Sequence, residues 1–101
     1  MKELTLSQIA AWCGTDVPEG CGETRITGVE SDSRAIAPGN LFIALKGERV
    51  DGHDFLGAAA KNGAAAALVE HPVETGLPCL VVPDALLAYG KIAAGYRQLL
   101  G

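Results

Sequence analysis

The sequence lacks the features that mark several large classes of protein. Aromatic residues make up only 5% of its 101 residues, and charged residues make up 20%. The formal net charge is −4 and there is no basic run, which argues against nonspecific binding to nucleic acid. No apolar run reaches the roughly 18 residues of a membrane span, and the N-terminus lacks the apolar core of a signal peptide. We therefore expect a cytoplasmic protein without a membrane span.

Disulfide and metal-binding patterns are also missing. The three cysteines, Cys13, Cys21 and Cys79, are odd in number, and no pair has the spacing of metal ligands. Reduced thiols are the expected state, and a metal site that combines a cysteine with His53 or His71 is not favoured.

A P-loop is absent as well. Residues 47–52 have the two-glycine spacing of that motif, but His53-Asp54 stands where Lys followed by Ser or Thr is required. The chain thus offers no lysine for the β and γ phosphates and no hydroxyl for magnesium. We predict no cofactor, no nucleoside-triphosphate site and no metal site in this chain.

What the sequence does contain is a regular alternation of helical and strand patterns, with 49% hydrophobic residues. An uninterrupted apolar run, 41–45, is typical of a central strand buried on both faces. The alternation predicts a single α/β domain over residues 1–101, with a mixed, mainly buried β-sheet flanked by helices. Helices are predicted over about 5–13, from Asp51 or Asp54 to about 62, and from 83–84 onwards; strands are predicted within 24–30, 41–45, 64–69 and 80–82.

Further details of this prediction concern particular residues. Gly28 is predicted as a bulge in the first of these strands. Trp12 is assigned to packing. Gly90 and Gly95 each cost about 1 kcal/mol relative to Ala in the last helix, and close packing against the sheet is the expected reason for them. The predicted apolar stripe of that helix consists of Leu86, Tyr89, Ala93, Tyr96 and Leu100.

The first candidate site is the polar loop Ser31–Arg34. Its hydroxyls and amides can hydrogen-bond a sugar or a base, although Asp and Ser in loops also commonly bond their own backbone. Arg34 is expected either to contact a ligand or to pair with Asp32 or Asp51.

The second candidate site is the loop Lys46-Gly47-Glu48-Arg49, which follows the most buried strand. Loops at the carboxyl ends of central strands are where α/β domains bind ligands, so both candidate loops can meet at one edge of the sheet. Gly47 would let a backbone amide approach a phosphate closely. A solvated hairpin or crossover loop is the alternative. His53, beside Asp54, is expected to have a role at the start of a helix.

Several short motifs occur here in the order found in one enzyme family. They are Asp32-Ser33-Arg34, Pro38-Gly39, 41–44, Lys46-Gly47, 51–55 and Gly63-Ala64. Through them the chain resembles, from about Leu6 onwards, the N-terminal domain of the Mur ligases, which extend the peptidoglycan stem peptide. The resemblance is greatest to the member that adds D-alanyl-D-alanine. The sister ligase that adds diaminopimelate or lysine is the alternative, but it typically has a histidine-centred tripeptide where this chain has Glu48-Arg49-Val50.

The resemblance implies a binding role rather than a catalytic one. In the family, the first of three domains grips the UDP-sugar end of the substrate, and the other two carry the ATPase and amino-acid sites. It implies UDP-N-acetylmuramoyl-tripeptide as the partner, ATP and magnesium as cofactors of the parent enzyme only, and central ATPase and C-terminal domains that are absent from this chain. No catalytic residue is expected here. The predicted substrate-binding residues are Ser31, Ser33, Arg34, Lys46, Gly47, Glu48 and Arg49.

Two functions from other classes stay open. One is an autonomous module that binds a nucleotide sugar without partner domains. The other is an interaction or regulatory domain that keeps the fold but has lost the ligand.

Overall fold

The computed structural model describes all 101 residues of the chain. Three α-helices are α1 (Leu6–Cys13), α2 (Leu56–Lys61) and α3 (Ala85–Leu100). Six strands are β1 (Leu4–Thr5), β2 (Arg25–Ile26), β3 (Gly28–Glu30), β4 (Asn40–Ile43), β5 (Ala66–Val69) and β6 (Cys79–Val81). Short 3-10 turns lie at Ser33–Ala35 and Gly52–Phe55. None of the helices has the length and apolar character needed to cross a membrane.

The six strands form two separate sheets. β3, β4, β5 and β6 lie side by side in chain order and are all parallel, with Leu41 of β4 opposite Val29 on one side and Ala66 on the other. β1 and β2 form an antiparallel pair in which Leu4 lies opposite Ile26. The predicted α/β fold, with parallel and antiparallel strands flanked by helices, is confirmed. The parallel strands form one sheet and the antiparallel strands form the other.

Side-chain alternation along β4 divides the hydrophobic core into two layers. Leu41 and Ile43 belong to a cluster formed with α1, α3 and the small sheet, whereas Phe42 and Ala44 belong to a second cluster formed with α2. Helices therefore cover both faces of the parallel sheet, which is the usual arrangement for such sheets. The predicted burial of this strand on both faces is confirmed.

Helix α1 lies where its capping signals predict it. The Thr5 hydroxyl accepts a hydrogen bond from the Gln8 amide, and Gln8 Oε1 accepts one from the Thr5 amide at 2.9 Å. This reciprocal capping box satisfies amides that the first helical turn leaves free. The helix ends at Gly14, whose φ of 69° suits glycine best.

The segment 24–30 differs from the prediction, because it forms two strands in different sheets. Thr27 lies between them and donates its amide to the Gly39 carbonyl at 3.0 Å. Gly28 is not a bulge; it opens β3 and pairs with Asn40. The chain passes from the small sheet to the large one at this point, and that change depends on tertiary packing that local β-propensity does not encode.

The predicted apolar stripe of α3 is wrong at three of its five positions. Leu86 is 68% exposed, and Ala93 and Leu100 are exposed as well. Tyr89 and Tyr96 are partly buried against the core. Apolar residues occur on more than one face of this helix, so periodicity alone does not identify the face that packs. The fully buried positions are Ala85, Ala88 and Ile92.

The two glycines of α3 have different surroundings, and neither packs against the sheet as predicted. Gly95 lies against the indole ring of Trp12, at a distance where a Cβ would overlap the ring. The close contact is therefore between α3 and α1, and the assignment of Trp12 to packing is confirmed. Nothing lies within 4 Å of a Cβ placed on Gly90.

Candidate functional site

A cavity of about 730 Å³ opens at the carboxyl ends of β3 and β4. The loop Ser31–Arg34, after β3, lines one side of it, and residues between Leu45 and Gly52, after β4, line the other. The structure thus brings the two predicted loops together at the edge of the sheet where α/β proteins bind ligands. Apolar side chains complete the lining: Phe42, Val50, Phe55 and Ala58.

Hydrogen bonds within the first loop fix its shape. Glu30 Oε1 accepts hydrogen bonds from the amides of Ser31 and Asp32, both at 3.0 Å. The Asp32 carboxylate accepts from the Arg34 amide at 2.9 Å and from the Arg34 guanidinium at 3.0 and 3.1 Å. The side-chain bond from Arg34 is the main reason why the pKa of Asp32 lies below its usual value. Of the expected pairings, Arg34 therefore adopts the one with Asp32 and not with Asp51.

Ser33 supplies an unused hydrogen-bonding group to the cavity. It is the one buried residue with a polar side chain, only 8% exposed, and its carbonyl accepts a bond from Asn62 Nδ2 at 2.8 Å. The Ser33 hydroxyl makes no hydrogen bond to the protein. Because no fully buried side-chain oxygen is left without a partner, this hydroxyl is open to the cavity.

The second loop is a tight hairpin, which was the alternative expected for it. We call residues 46–51 the wall turn. Lys46 and Asp51 form an antiparallel bridge, and the Gly47 amide donates to the Val50 carbonyl at 2.7 Å. The Gly47 amide is therefore already occupied within the turn, and the predicted part of Gly47 in substrate binding stays a prediction. Glu48 and Arg49 are exposed, and their amides make no backbone hydrogen bond.

Gly52 fixes the base of the wall turn. Its amide donates to the Leu45 carbonyl at 2.7 Å. A Cβ at Gly52 would lie 2.7 Å from the backbone nitrogen and oxygen of Leu45, so a larger residue does not fit without moving the backbone. Glycine is required here by close approach of two chain segments.

The residues of this region do not fit a nucleoside triphosphate with magnesium. The segment 47–52 forms the wall turn and its base, not a phosphate-binding loop, and it lacks the lysine and hydroxyl that such a loop needs. No group of three or more His, Cys, Asp or Glu side chains is arranged to hold a metal ion.

The remaining predicted site residues are distributed around the wall turn. Lys46 lines a second cavity of about 510 Å³, together with Glu70 and Asp84, and Gly47 lines both cavities. Glu48 and Arg49 line neither cavity, although they lie next to residues that do. Their role in substrate binding stays a prediction.

His53 has the predicted role at the start of a helical turn and a second role that the sequence did not indicate. The Asp51 carboxylate accepts a hydrogen bond from the His53 amide at 2.9 Å, and His53 Nδ1 lies 2.6 Å from the same carboxylate. These two bonds, the backbone one first, hold the pKa of Asp51 below its usual value. His53 Nε2 also accepts a bond from the Glu70 amide at 2.9 Å.

The aromatic part of the cavity lining was not recognised from the sequence as part of a site. Phe42 falls in the predicted buried strand and Phe55 in the predicted second helix, so neither is among the predicted site residues. Phe55 is instead 40% exposed, because it ends the 3-10 turn before α2 and lies beside the cavity. The signal available was its position within one turn of the capping Asp51 and of Gly52, where a regular helix has not yet begun.

The fold and the cavity define an α/β domain with a candidate site at the carboxyl edge of a parallel sheet. Comparison with known proteins identifies its family. The sequence profile described as "Mur ligase family, catalytic domain" matches residues 25–97. The chain belongs to the Mur ligase family.

Curated relatives and solved structures agree with this assignment. The UDP-N-acetylmuramoyl-tripeptide–D-alanyl-D-alanine ligase of Escherichia coli is 44% identical over 97% of this chain and 21% of its own length. A UDP-N-acetylmuramoyl-L-alanyl-D-glutamate–2,6-diaminopimelate ligase of Streptomyces coelicolor is 44% identical over 88% of the chain and 18% of its own length. The crystal structure of MurF from Acinetobacter baumannii superposes with a TM-score of 0.90 at 33% identity, over 98% of this chain and 22% of that one. The chain spans about a fifth of the length of these relatives.

Proposed function

We propose that this chain binds the UDP portion of UDP-N-acetylmuramoyl-tripeptide in the cavity between the Ser31–Arg34 loop and the wall turn. The observation that supports this most directly is the combination of an apolar lining with one hydroxyl that is open to the cavity and has no protein partner, that of Ser33. Small-molecule sites are typically clefts of about 300–1,000 Å³ that are mostly apolar and carry a few fixed polar groups. At about 730 Å³, this cavity has room for a nucleoside.

The arrangement assigns separate tasks to the two walls. The uracil and ribose lie against the apolar lining, and the Ser33 hydroxyl hydrogen-bonds the uridine. The diphosphate lies at the wall turn, where the free amides of Glu48 and Arg49 replace the occupied amide of Gly47 as donors. Lys46 and Arg49 supply positive charge there, and charge-assisted hydrogen bonds are stronger than neutral ones. Arg34 contributes less, because Asp32 already neutralises it.

By family membership, the parent enzyme is an ATP-dependent ligase that forms an amide bond to D-alanyl-D-alanine. This chain is its N-terminal substrate-binding domain, over residues 1–101. ATP and magnesium belong to the central domain of that parent, since the residues here do not fit them. Fixing the UDP end sets the position of the distant tripeptide carboxylate, and positioning of this kind contributes several kcal/mol to lowering a barrier. A nucleotide-activated precursor as substrate is consistent with a cytoplasmic enzyme.

The sister ligase that adds diaminopimelate is a second candidate, supported by the Streptomyces relative at the same identity. The Escherichia coli ligase is matched over more of the chain, 97% against 88%, which favours D-alanyl-D-alanine. Both substrates share the UDP-N-acetylmuramoyl end, so the binding proposal is the same for either enzyme. Assaying the complete parent enzyme with each amine substrate separates them.

A chemical-shift titration of the ¹⁵N-labelled chain with UDP tests the binding proposal. We expect shifts at residues 31–34 and 46–52, and about three- to tenfold weaker binding for Ser33→Ala, the cost of one hydrogen bond. Arg49→Ala should weaken UDP binding but leave uridine binding unchanged, because only UDP carries the phosphates.

Two substitutions away from the cavity serve as matched controls for this titration. Ser7→Ala and Arg97→Ala change the same residue types at exposed positions on α1 and α3, and both should bind UDP like the unmodified chain. Shifts confined to other surfaces, or UDP affinities unaltered by both Ser33→Ala and Arg49→Ala, would contradict the proposed site. Failure of UDP to bind at all would instead favour the interaction-domain alternative.

A further inference from the structure

The imidazole ring of His53 is almost fully enclosed, and both of its nitrogens are occupied. Its side chain is only 6% exposed. Nδ1 lies 2.6 Å from Asp51 Oδ1, and Nε2 accepts a hydrogen bond from the Glu70 amide at 2.9 Å. A backbone amide can only donate, so Nε2 must carry the lone pair and Nδ1 the proton. The geometry therefore selects the neutral ring with its proton on Nδ1.

These hydrogen bonds join two parts of the molecule, the wall turn and the segment that follows β5. Asp51 ends the wall turn through its bridge with Lys46. Glu70 directly follows β5, and its carboxylate accepts a hydrogen bond from the Ala85 amide at 2.8 Å, at the start of α3. His53 thus connects the wall turn to the end of β5, a fully buried strand, and Glu70 connects that end to the start of α3.

We propose that His53 is a positioning residue for the candidate site, whose neutral imidazole holds the wall turn against the end of β5 and whose protonation releases that hold. A proton on Nε2 would point at the Glu70 N–H, so two donors would face each other and the bond would be lost. The bond to Asp51 survives protonation, because an imidazolium still donates from Nδ1 to a carboxylate. The wall turn would then stay bonded to His53 but lose its hydrogen bond to the residue that follows β5.

Several titratable and charged groups surround His53. The Asp51 carboxylate lies beside Nδ1, and Lys46 lies close to Asp51. His71 stacks on His53 with the ring centroids 4.4 Å apart. Asp54, next in the chain, is exposed, and the Glu70 carboxylate faces the start of α3.

The first test reads the hydrogen bonds directly and needs no ligand. The chain has two histidines, so in a His71→Gln variant every imidazole signal belongs to His53. Long-range ¹H–¹⁵N spectra at about pH 8 should show the Nδ1–H tautomer. As the pH is lowered to about 5, the Glu70 amide should shift upfield and lose its protection from hydrogen exchange in step with His53. An Nε2–H tautomer, or a His53 titration that leaves the Glu70 amide unchanged, would overturn the proposal.

The second test asks whether the attachment affects binding, and here the inference rests on the proposed function. UDP-glucose is the probe, because both phosphates of its diester keep their charge over this pH range. Its dissociation constant should rise about threefold or more from about pH 8 to about pH 5, the effect of one lost hydrogen bond. In His53→Gln the amide oxygen can still accept from Glu70 but cannot titrate, so binding should persist and lose its pH dependence. His53→Ala should bind weakly at every pH.

The outcomes separate the two proposals. If UDP-glucose binds and its affinity does not follow the His53 titration, the positioning role is refuted while the binding site stands. If UDP-glucose does not bind at about pH 8, the proposed function is refuted, and the Glu70 amide shift alone then decides whether His53 holds the wall turn. A His53→Gln variant that keeps the full pH dependence would assign the titration to another group and refute the proposal.

Discussion

Replacing Gly95 by Ala should destabilise the protein relative to the same replacement at Gly90, although both glycines lie inside α3. Glycine to alanine in a helix interior contributes about 1 kcal/mol of stability. At Gly90 nothing lies within 4 Å of the new methyl group, so that variant should gain the whole amount. At Gly95 the methyl group would overlap the Trp12 ring, 2.5 Å from Cε2. Overpacking of this kind costs about 1–3 kcal/mol.

Because the helix-propensity gain is common to both variants, it cancels in their difference. We therefore expect Gly95→Ala to be less stable than Gly90→Ala by about 1–3 kcal/mol. In a domain of this size, 1 kcal/mol shifts the melting temperature by about 4–8 °C, so the two variants should differ by at least about 4 °C.

Urea and thermal unfolding measure this difference, with Trp12 as the one tryptophan in the chain and therefore an unambiguous fluorescence probe. Gly95→Ala should also alter the native emission spectrum, since it displaces the ring, whereas Gly90→Ala should leave it unchanged. Equal stabilities for the two variants, or a more stable Gly95→Ala, would show that the contact between α1 and α3 is not as close as described.

Three further predictions follow from other contacts. Gly52→Ala should lower the unfolding free energy by about 1–3 kcal/mol in urea titrations. Its methyl group would overlap the Leu45 backbone, which cannot move aside as a flexible side chain could, and native-like stability would contradict this. Folding lowers the pKa of Asp51, so the ionised carboxylate stabilises the fold above about pH 4, and this contribution is lost as the pH falls further. Between about pH 6 and about pH 3, the urea midpoint should therefore fall less in Asp51→Asn than in the unmodified chain. Thr5→Ala should cost about 1 kcal/mol in thermal unfolding through loss of the α1 cap, whereas Thr5→Ser should cost much less.

Elements with strong local signals could be predicted from the sequence. The capping box at Thr5 and the glycine at position 14 define α1 because the hydrogen bonds concerned lie within one turn of helix. The apolar run that starts at Leu41 identifies β4, since a strand covered on both faces has no polar side to interrupt it. The polar loops after β3 and β4 were predicted to meet because parallel strands end at the same edge of a sheet.

What could not be predicted depends on contacts between distant segments. The pairing of His53 with Glu70 requires β5 to end beside the wall turn, and no spacing in the sequence encodes that position. The face of α3 that packs is chosen by α1 and the sheet rather than by the helix itself, so Leu86 remains exposed. The occupied amide of Gly47 likewise results from the detailed shape of the wall turn.

The order of strands in the parallel sheet also bears on how quickly the protein folds. Each strand from β4 to β6 pairs with the strand that immediately precedes it in the chain, so the sheet grows by closing one connection at a time, the one between β4 and β5 including α2. The contact between Trp12 and Gly95, by contrast, joins residues near opposite ends of the chain and so closes a loop of most of its length. We expect the sheet to belong to the folding nucleus and the α1–α3 contact to form after it. Substitutions in β4 and β5 should then slow refolding, whereas Gly95→Ala should act mainly by speeding unfolding.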